Sequence, residues 1–191
     1  MTQYLDIRCD CGALQGRVAC SAHFFQNRVM CYCDDCQAFV NHLGHESSLN
    51  QYGGTDVYQV SASQVSIVSG HEHLKCLKVT PKGVHRWYAS CCNAPIGNTI
   101  GPQWPLVGFI SSVIVQDLDS IVGPIKGSVF CQFANQPVPK EVKGRWSHKR
   151  IVATMVIKLL VWRILGKAQP NPFYKAGKAV SKPHCLASDN T

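Results

Sequence analysis

Closely spaced cysteines constrain this sequence more than any other feature, because thiolates that share one metal ion must converge on a point. The tightest group is Cys31-Tyr32-Cys33-Asp34-Asp35-Cys36, which places three thiols within six residues. Such a segment can surround an ion without closing a long loop. A tetrahedral zinc ion would bind all three sulfurs and keep its fourth position open. The segment therefore predicts a reactive zinc site formed by Cys31, Cys33 and Cys36.

Two further cysteine groups lie on either side of this segment. Cys9-Asp10-Cys11-Gly12 is near the N-terminus, and Cys91-Cys92-Asn93 follows about 80 residues later. A Cys-x-Cys-Gly turn directs two sulfurs to one side of the chain, and its glycine permits the positive φ that a tight turn needs. One ion bound by both groups would join distant strands, as structural zinc does in small domains.

The size and the cysteine content together indicate a protein with reduced thiols. With 191 residues, of which 46% are apolar, the chain is long enough for one domain with a core, with or without an appendage. The number of cysteines is eleven, and residues 1–25 contain four charged side chains and no apolar signal segment. We therefore predict metal-binding cysteines in the cytoplasm and not a secreted disulfide framework.

The positive charge is concentrated at the C-terminal end. Residues 140–191 contain eleven Lys or Arg and two acidic residues, a net charge of +9, whereas residues 1–139 have a net charge of −1. The cysteine-rich part is therefore nearly neutral. The basic segment is either simply solvated or a contact surface for nucleic acid, an anionic membrane or an acidic protein.

Short apolar segments separated by Gly and Pro turns predict a mainly β fold of short antiparallel strands. The predicted strands cover residues 4–8, 13–19, 27–30, 57–60, 65–68, 73–80, 84–89, 106–115 and 128–133. One or two helical turns are predicted after the tightest cysteine group, over Cys36–Leu43, with Gly44 at their end.

A longer helix is predicted near the C-terminus, between Ser147 as its N-cap and Gly166, because neither Gly nor Pro interrupts this stretch. Its apolar part is too short for a comfortable membrane span and contains Lys158 and Arg163. The charges surround the helix instead of forming one face, since Lys158 points away from the other basic residues. We therefore predict that the helix packs on the β domain, with its lysines extended along the surface.

The predicted organisation has three parts. Residues 1–146 form the zinc-binding β domain, residues 147–168 form the helix packed on it, and residues 169–191 form a loosely held basic tail. Removal of the helix should then expose apolar surface of the domain.

Three motifs occur in order along the β domain: Cys9-x-Cys11-Gly12, Cys31-x-Cys33-x-x-Cys36 and Arg86-Trp87-Tyr88-x-x-x-Cys92. This pattern resembles the glutathione-dependent formaldehyde-activating enzyme family, which includes the centromere protein V-like domains. The resemblance covers about residues 5–135. It implies a zinc-bound β-tent fold and carbon–sulfur lyase chemistry on the adduct of glutathione and formaldehyde.

The third motif departs from the family pattern, which is usually aromatic-Cys-x-x-Cys-Gly. Ala89 stands in place of the first cysteine, Asn93 stands in place of the glycine, and Cys91 is additional. Cys91 either completes the structural site or turns toward Cys31–Cys36 and closes the reactive site. The ligands that the resemblance implies for the structural ion are Cys9, Cys11 and Cys92.

Two functions remain open at this point. In the first, Cys31, Cys33 and Cys36 hold a zinc ion that binds the sulfur of a small thiol or thiol adduct, because an ion with three thiolates suits an exchangeable thiolate better than activated water. In the second, the protein is a non-catalytic zinc module whose basic C-terminal segment contacts a partner. A fourth protein ligand beside these three cysteines would favour the second function.

Other polar residues have two interpretations each. His42 and His45 either supply a fourth ligand or a proton shuttle, or they lie at the surface. The basic residues of two neighbouring predicted strands either face solvent or attract the carboxylates of a glutathione-like molecule. These basic residues are Lys75, Lys78, Lys82 and Arg86.

Overall fold

The computed structural model describes residues 3–20 and 27–188 and is mainly β, as the sequence predicts. In chain order the strands are β1 (Tyr4–Arg8), β2 (Gln15–Ala19), β3 (Asn27–Cys31), β4 (Thr55–Ser61), β5 (Val65–Ser69), β6 (Leu74–Lys78), β7 (His85–Ala89), β8 (Ala94–Thr99), β9 (Leu106–Ile110), β10 (Ser128–Val129), β11 (Tyr174–Lys175), β12 (Lys178–Ala179) and β13 (His184–Cys185). The helices are α1 (Asp34–His42), α2 (Leu118–Ile121) and α3 (His148–Ile164). Single 3-10 turns lie at Glu46–Ser48, Ala62–Gln64, His71–His73, Ser111–Val113, Cys131–Phe133 and Leu186–Ser188.

Two sheets form most of the fold. The larger has eight strands in the order β10-β3-β4-β9-β8-β7-β6-β13, and the smaller has the order β1-β2-β5. Strands β11 and β12 form a separate hairpin. Pairing is antiparallel except at the two edges of the large sheet, where the two-residue strands β10 and β13 pair in parallel. Such short edge strands leave few free backbone groups for pairing with another chain.

The main core lies between the two sheets, because both contribute buried apolar side chains to it. In β1, Leu5 and Ile7 are buried and alternate with more exposed residues, which is the period of two expected of a half-buried strand. Strands of the small sheet contribute Leu5, Ile7, Val18, Val65 and Ile67, and those of the large sheet contribute Tyr58, Val60, Trp87, Ile96, Val107 and Phe109.

The segment after α3 is part of this core, so the expectation of a loosely held tail is wrong for it. Phe173 and Tyr174 are almost fully buried, with their ring centroids 5.0 Å and 5.8 Å from that of Trp87. The Tyr174 hydroxyl lies 2.6 Å from Oγ1 of Thr99. Further on, β13 adds to the edge of the large sheet beside β6. Aromatic burial thus fixes a segment whose composition suggested only a solvated chain.

Two predicted strands end well before the sequence suggests, and four strands were not predicted: β8 and the short C-terminal strands β11, β12 and β13. The apolar run 106–115 forms β9 and then a 3-10 turn, and β10 stops before Phe130, which has a left-handed φ of 60°. The sequence did not predict strand β8, because Pro95 and Gly97 both have a low propensity for strands. Its pairing with β7 and β9 supplies the context that its composition lacks.

Arg28 joins β3 to its surroundings just before the tightest cysteine group. Its guanidinium lies 2.7 Å from Oδ2 of Asp56 on β4 and 2.7 Å from Oδ1 of Asp119 on α2. Because the side chains of Arg28 and Asp56 are both mostly buried, their contact is shielded from water, which strengthens it relative to surface ion pairs, whereas Asp119 is largely exposed. Both contacts help to fix the strand that ends at Cys31.

Helix α3 begins where the sequence predicts, since Oγ of Ser147 accepts a hydrogen bond from the backbone N–H of Arg150. One face, with Ile151 and Trp162, is buried. Lys158 is also buried on this face, which contradicts the prediction that the helix lysines extend along the surface. Burial, together with the positive charge of Lys126, lowers the pKa of Lys158 to about 8. Within residues 3–20 and 27–188, no helix combines the length and apolar character needed to cross a bilayer.

Candidate metal centres

The cysteines predicted to bind metal form two separate clusters. Within each cluster, all sulfur atoms lie within 4.8 Å of one another. None of the eleven cysteines, all of which fall in the described ranges, forms a disulfide. One cluster contains Cys9, Cys11, Cys91 and Cys92, and the other contains Cys31, Cys33 and Cys36. Both groups could hold a metal ion.

The four-sulfur cluster joins two turns that are distant in sequence. The first turn, between β1 and β2, supplies Cys9 and Cys11, and the second, between β7 and β8, supplies the other pair. The Sγ–Sγ distances are 3.6 Å from Cys9 to Cys11, 3.7 Å from Cys9 to Cys91 and 4.0 Å from Cys91 to Cys92. Tetrahedral zinc with bonds of about 2.3 Å would place its sulfurs about 3.8 Å apart. The donor set therefore fits a four-thiolate zinc site.

Backbone geometry at both turns supports this convergence. Gly12 has a φ of 77°, as the Cys-x-Cys-Gly pattern predicts, and the N–H of Leu14 donates to Sγ of Cys9 at 3.3 Å. Asn93 has a φ of 58°. Asparagine enters this left-handed region more readily than other residues with a side chain. Asn93 can therefore stand where the third motif of the resembling pattern has a glycine, without loss of the turn.

Cys91 belongs to the four-sulfur cluster. Of the two placements predicted for it, the structure therefore has the one in which Cys91 completes the structural site. Vicinal cysteines would point to opposite faces in an extended segment. Residues 90–93 form a turn instead, and a turn brings Cys91 and Cys92 to the same ion position. Cys91 therefore does not close the three-sulfur cluster.

The two histidines after the tightest cysteine group do not join it. Nε2 of His45 lies 3.2 Å from the carbonyl oxygen of Cys92, and Nδ1 lies 3.6 Å from Oδ2 of Asp10. His45 thus connects the two turns of the four-sulfur cluster. His42 is exposed at the end of α1. In the part of the chain that the structure describes, neither belongs to the group of potential ligands around Cys31.

The three-sulfur cluster forms where β3 passes into α1. Cys31 is the last residue of β3, Cys33 is the N-cap of α1 and Cys36 lies in its first turn. The Sγ–Sγ distances are 3.4 Å from Cys31 to Cys33 and 3.8 Å from Cys31 to Cys36. Among the described residues, no fourth Cys, His, Asp or Glu completes this group. The cluster therefore fits three positions of a tetrahedral ion.

A buried arginine lies against these sulfurs. Arg86 on β7 is only 3% exposed, and its Nη1 donates to Sγ of Cys36 at 3.5 Å. Its Nη2 lies 3.6 Å from Oδ2 of Asp35, and the guanidinium carbon lies 5.5 Å from the ring centroid of Phe39. Burial alone would lower the pKa of Arg86, but Cys36, Cys33 and Asp35 reverse this effect and raise it. The site thus includes a permanent cation.

The same contacts affect the thiols. Hydrogen bonds with Cys31 and Cys33, and then the charge of Arg86, hold the pKa of Cys36 below its usual value against the effect of burial. The pKa of Cys31 is raised because its neighbours' sulfurs and burial disfavour a further negative charge. Three adjacent thiolates therefore need positive charge, of which Arg86 supplies one unit and a divalent metal ion would supply two.

The three-sulfur cluster opens into a pocket of about 460 Å³, which lies within the range for small-molecule sites. Its walls combine a polar side and an apolar side. Besides the three cysteines, the polar residues are Asp34, Asp35, Gln59, Arg86 and Asn98, and the apolar ones are Val29, Val57, Val84, Val129, Phe130 and Phe133.

Sequence reasoning did not find the roles of Arg86, Gln59 and Asn98. The prediction that Arg86 faces solvent is wrong because the residue is buried beside Cys36, and its attraction for the carboxylates of a ligand stays a prediction. The alternation along β7 was an available signal, since Trp87 faces the main core and its neighbours must face the other side. For Gln59 and Asn98 no local signal exists, because only the pairing of β3, β4, β9 and β8 brings them together.

Comparison with known proteins gives one family match and a distant structural neighbour. No curated protein matches the sequence. A crystal structure of a Rhodobacter sphaeroides protein, a structural genomics target, has 16% sequence identity and a TM-score of 0.43, and the match covers 63% of this chain and 96% of that one. The model of DUF6151, described as a family of unknown function, matches residues 1–183. The chain therefore belongs to the DUF6151 family.

Proposed function

We propose that this protein is a zinc-dependent, carbon–sulfur lyase-like protein that acts on a small thiol adduct of the glutathione–formaldehyde type. The observation that supports this proposal is the contrast between the two clusters. One has four sulfurs and is complete, whereas the other has three sulfurs and borders a pocket. A purely structural pair of sites would not need this difference.

The donor set explains why the ligand would be a thiol. Zinc held by Cys31, Cys33 and Cys36 would hold the substrate's sulfur in its fourth position, as the neutral sulfur of the adduct before cleavage and as a thiolate after it. Four thiolates on a divalent ion have a formal charge of −2, which is costly to bury. Arg86, with Nη1 at 3.5 Å from Cys36, offsets part of this charge in a site largely shielded from water. The arginine therefore favours the thiolate-bound state.

The pocket walls suggest how the chain would treat the rest of the adduct. In the cleavage direction, the hydroxyl proton leaves the hydroxymethyl group, its C–O bond becomes C=O, and the electron pair of the C–S bond stays on sulfur. Gln59 and Asn98 supply amide groups that can orient the hydroxyl oxygen. Asp34 lines the same pocket and is exposed, so it can accept the proton and return it to water.

The experiment measures the exchange of isotope-labelled formaldehyde between solution and its glutathione adduct by NMR, with zinc-loaded protein. The wild type should accelerate exchange, and Cys33→Ser should return it to the background rate while the fold persists. Cys131→Ser is the matched control, since Cys131 belongs to neither cluster. Background exchange with a fully zinc-loaded wild type would contradict the proposal and favour the non-catalytic zinc module.

A further inference from the structure

Helix α3 exposes an apolar face that the β domain does not cover. Its apolar side chains on the outer side are between 41% and 84% exposed. Val152, Val156, Leu160 and Ile164 recur every four residues, so they form one continuous stripe along the helix, and Ile157 lies beside them. A helix that met only water on this side would be polar there.

No rotation of the helix could bury both Leu160 and the face that contains Lys158 and Trp162. Residues two apart on a helix point about 200° apart. Leu160 therefore points away from both Lys158 and Trp162, which are buried against the body. The apolar character predicted to pack the helix on the domain accounts for one face only. On the other side, Val152 and Val156 still border a cleft shared with the β domain, but Ile157, Leu160 and Ile164 are 53–84% exposed.

Both ends of the stripe carry cations that contact tryptophan rings. At the N-terminal end, the guanidinium of Arg150 lies 4.3 Å from the ring centroid of Trp146. At the C-terminal end, that of Arg163 lies 5.1 Å from the ring of Trp104. Between Arg150 and Arg163 the only charged residue is Lys158, which is buried on the other side. The exposed surface is thus apolar in the middle and basic and aromatic at both ends.

Further basic residues surround the N-terminal end of α3. A cleft of about 530 Å³ there is lined by Lys143, Arg145, His148 and Lys149, among others. From residue 142 to residue 188 the sequence contains no Asp or Glu. Cations on this side therefore have no carboxylate neighbours from the same segment, which leaves them available to anionic groups.

We propose that α3 lies in the plane of an anionic membrane surface. Its stripe would enter the boundary between head groups and acyl chains, and the cations at its ends would contact lipid phosphates. Tryptophan and arginine are both favoured at this boundary. The proposal is independent of the chemistry at the three-sulfur cluster.

The distribution of charge favours an anionic membrane over two other partners, a second copy of the chain and nucleic acid. In a symmetric dimer with α3 packed on α3, cations would face cations. An antiparallel pair would bring Arg150 of one copy beside Arg163 of the other, and a parallel pair would bring identical ends together. No carboxylate in the segment would compensate. Nucleic acid would require cations along the contact surface, whereas the middle of the stripe has none. An anionic lipid surface accommodates both the apolar middle and the basic ends.

The test uses full-length, zinc-loaded protein and flotation with vesicles of phosphatidylcholine, with or without phosphatidylserine. We expect binding to the vesicles that contain phosphatidylserine, and a decrease with added salt. The double variant Leu160→Ser, Ile164→Ser should weaken binding by about tenfold or more, because it removes apolar groups from the stripe. Arg163→Gln should weaken it by about fivefold and reduce the dependence on salt.

Val68→Ser is the matched control, because Val68 is an equally exposed apolar residue on β5, outside α3. It should leave vesicle binding unchanged. All four substituted positions are exposed or lie at the surface, and unchanged thermal unfolding will verify that each variant folds. Absence of binding to phosphatidylserine vesicles, or equal binding by the double variant, would overturn the proposal. A dimer in light scattering that the double variant dissociates would also overturn it, and would assign the stripe to a second copy of the chain.

Discussion

The two cysteine clusters use the same side chain for different geometries. The four-sulfur cluster lies between two turns at the surface, with Cys11 and Cys91 exposed, and it joins segments about 80 residues apart. The three-sulfur cluster lies at a strand–helix junction, with Cys31 and Cys36 buried, and all its members come from six consecutive residues. The first cross-links the fold, whereas the second contributes little to chain connectivity.

This difference indicates that a metal ion would stabilise the fold at one cluster and bind a ligand at the other. An ion that joins distant turns stabilises the fold, because the ligands are far apart in the unfolded chain. An ion held by one short segment gains little from chain closure and leaves a coordination position toward the pocket. Stability and ligand binding should therefore separate between the clusters, and each prediction below tests that separation.

The largest effect should come from removal of metal. We expect a chelator to take one ion first, from the three-sulfur cluster, with little change in circular dichroism. Release of the second ion should unfold much of the β domain, since structural zinc can contribute on the order of 10 kcal/mol in finger peptides. Native mass spectrometry and circular dichroism along one titration will show both steps. A protein that is equally stable without metal would contradict this comparison.

Cys9→Ser should lower the free energy of unfolding by more than about 4 kcal/mol, because it opens the cluster that joins β1–β2 to β7–β8. Cys33→Ser should cost much less and leave one bound ion. Urea unfolding together with zinc analysis measures both effects, and Cys185→Ser, outside either cluster, is the control. Similar losses for the two cluster variants would remove the distinction between structural and reactive sites.

Arg86→Met should weaken metal binding at the three-sulfur cluster by about 10- to 100-fold, as is typical when a group behind a metal ligand is removed. Arg86→Lys should recover part of the affinity, because it keeps the charge but not the planar N–H geometry toward Cys36. Competition with a chromophoric chelator measures the affinity, and the four-sulfur cluster is an internal control. Equal weakening at both clusters would indicate general unfolding instead.

The smallest effect concerns the turn that carries Cys91 and Cys92. Asn93→Ala should destabilise the protein by about 1 kcal/mol, because alanine is less tolerant of a φ of 58°. Asn93→Gly should have little effect or a slight stabilising one. Urea unfolding measures both variants, and thiol binding at the three-sulfur cluster should not change. A glycine variant as unstable as the alanine variant would mean that the asparagine side chain itself is needed.

Local sequence determined much of this fold. Strand β1 and the start of α3 follow from alternation and from the Ser147 cap, which act within a few residues. Strand β8 did not follow, because neighbouring strands impose its conformation on Pro95 and Gly97. The position of Phe173 likewise depends on Trp87, far away in the chain. Alternation and capping describe neighbours along the chain, so they cannot predict contacts between residues that are far apart in sequence.

The candidate site also has some features that local sequence determines and others that depend on tertiary structure. The sequence by itself determined that Cys31, Cys33 and Cys36 converge, because six residues cannot separate their sulfurs far. It also determined that Cys9 and Cys11 lie together. Only the tertiary structure decided that Cys91 joins them, that Arg86 is buried against Cys36 and that a pocket borders the three sulfurs. The physical reason is range: chain connectivity fixes neighbours within one turn, whereas sheet register and packing fix those that are 50 or more residues apart.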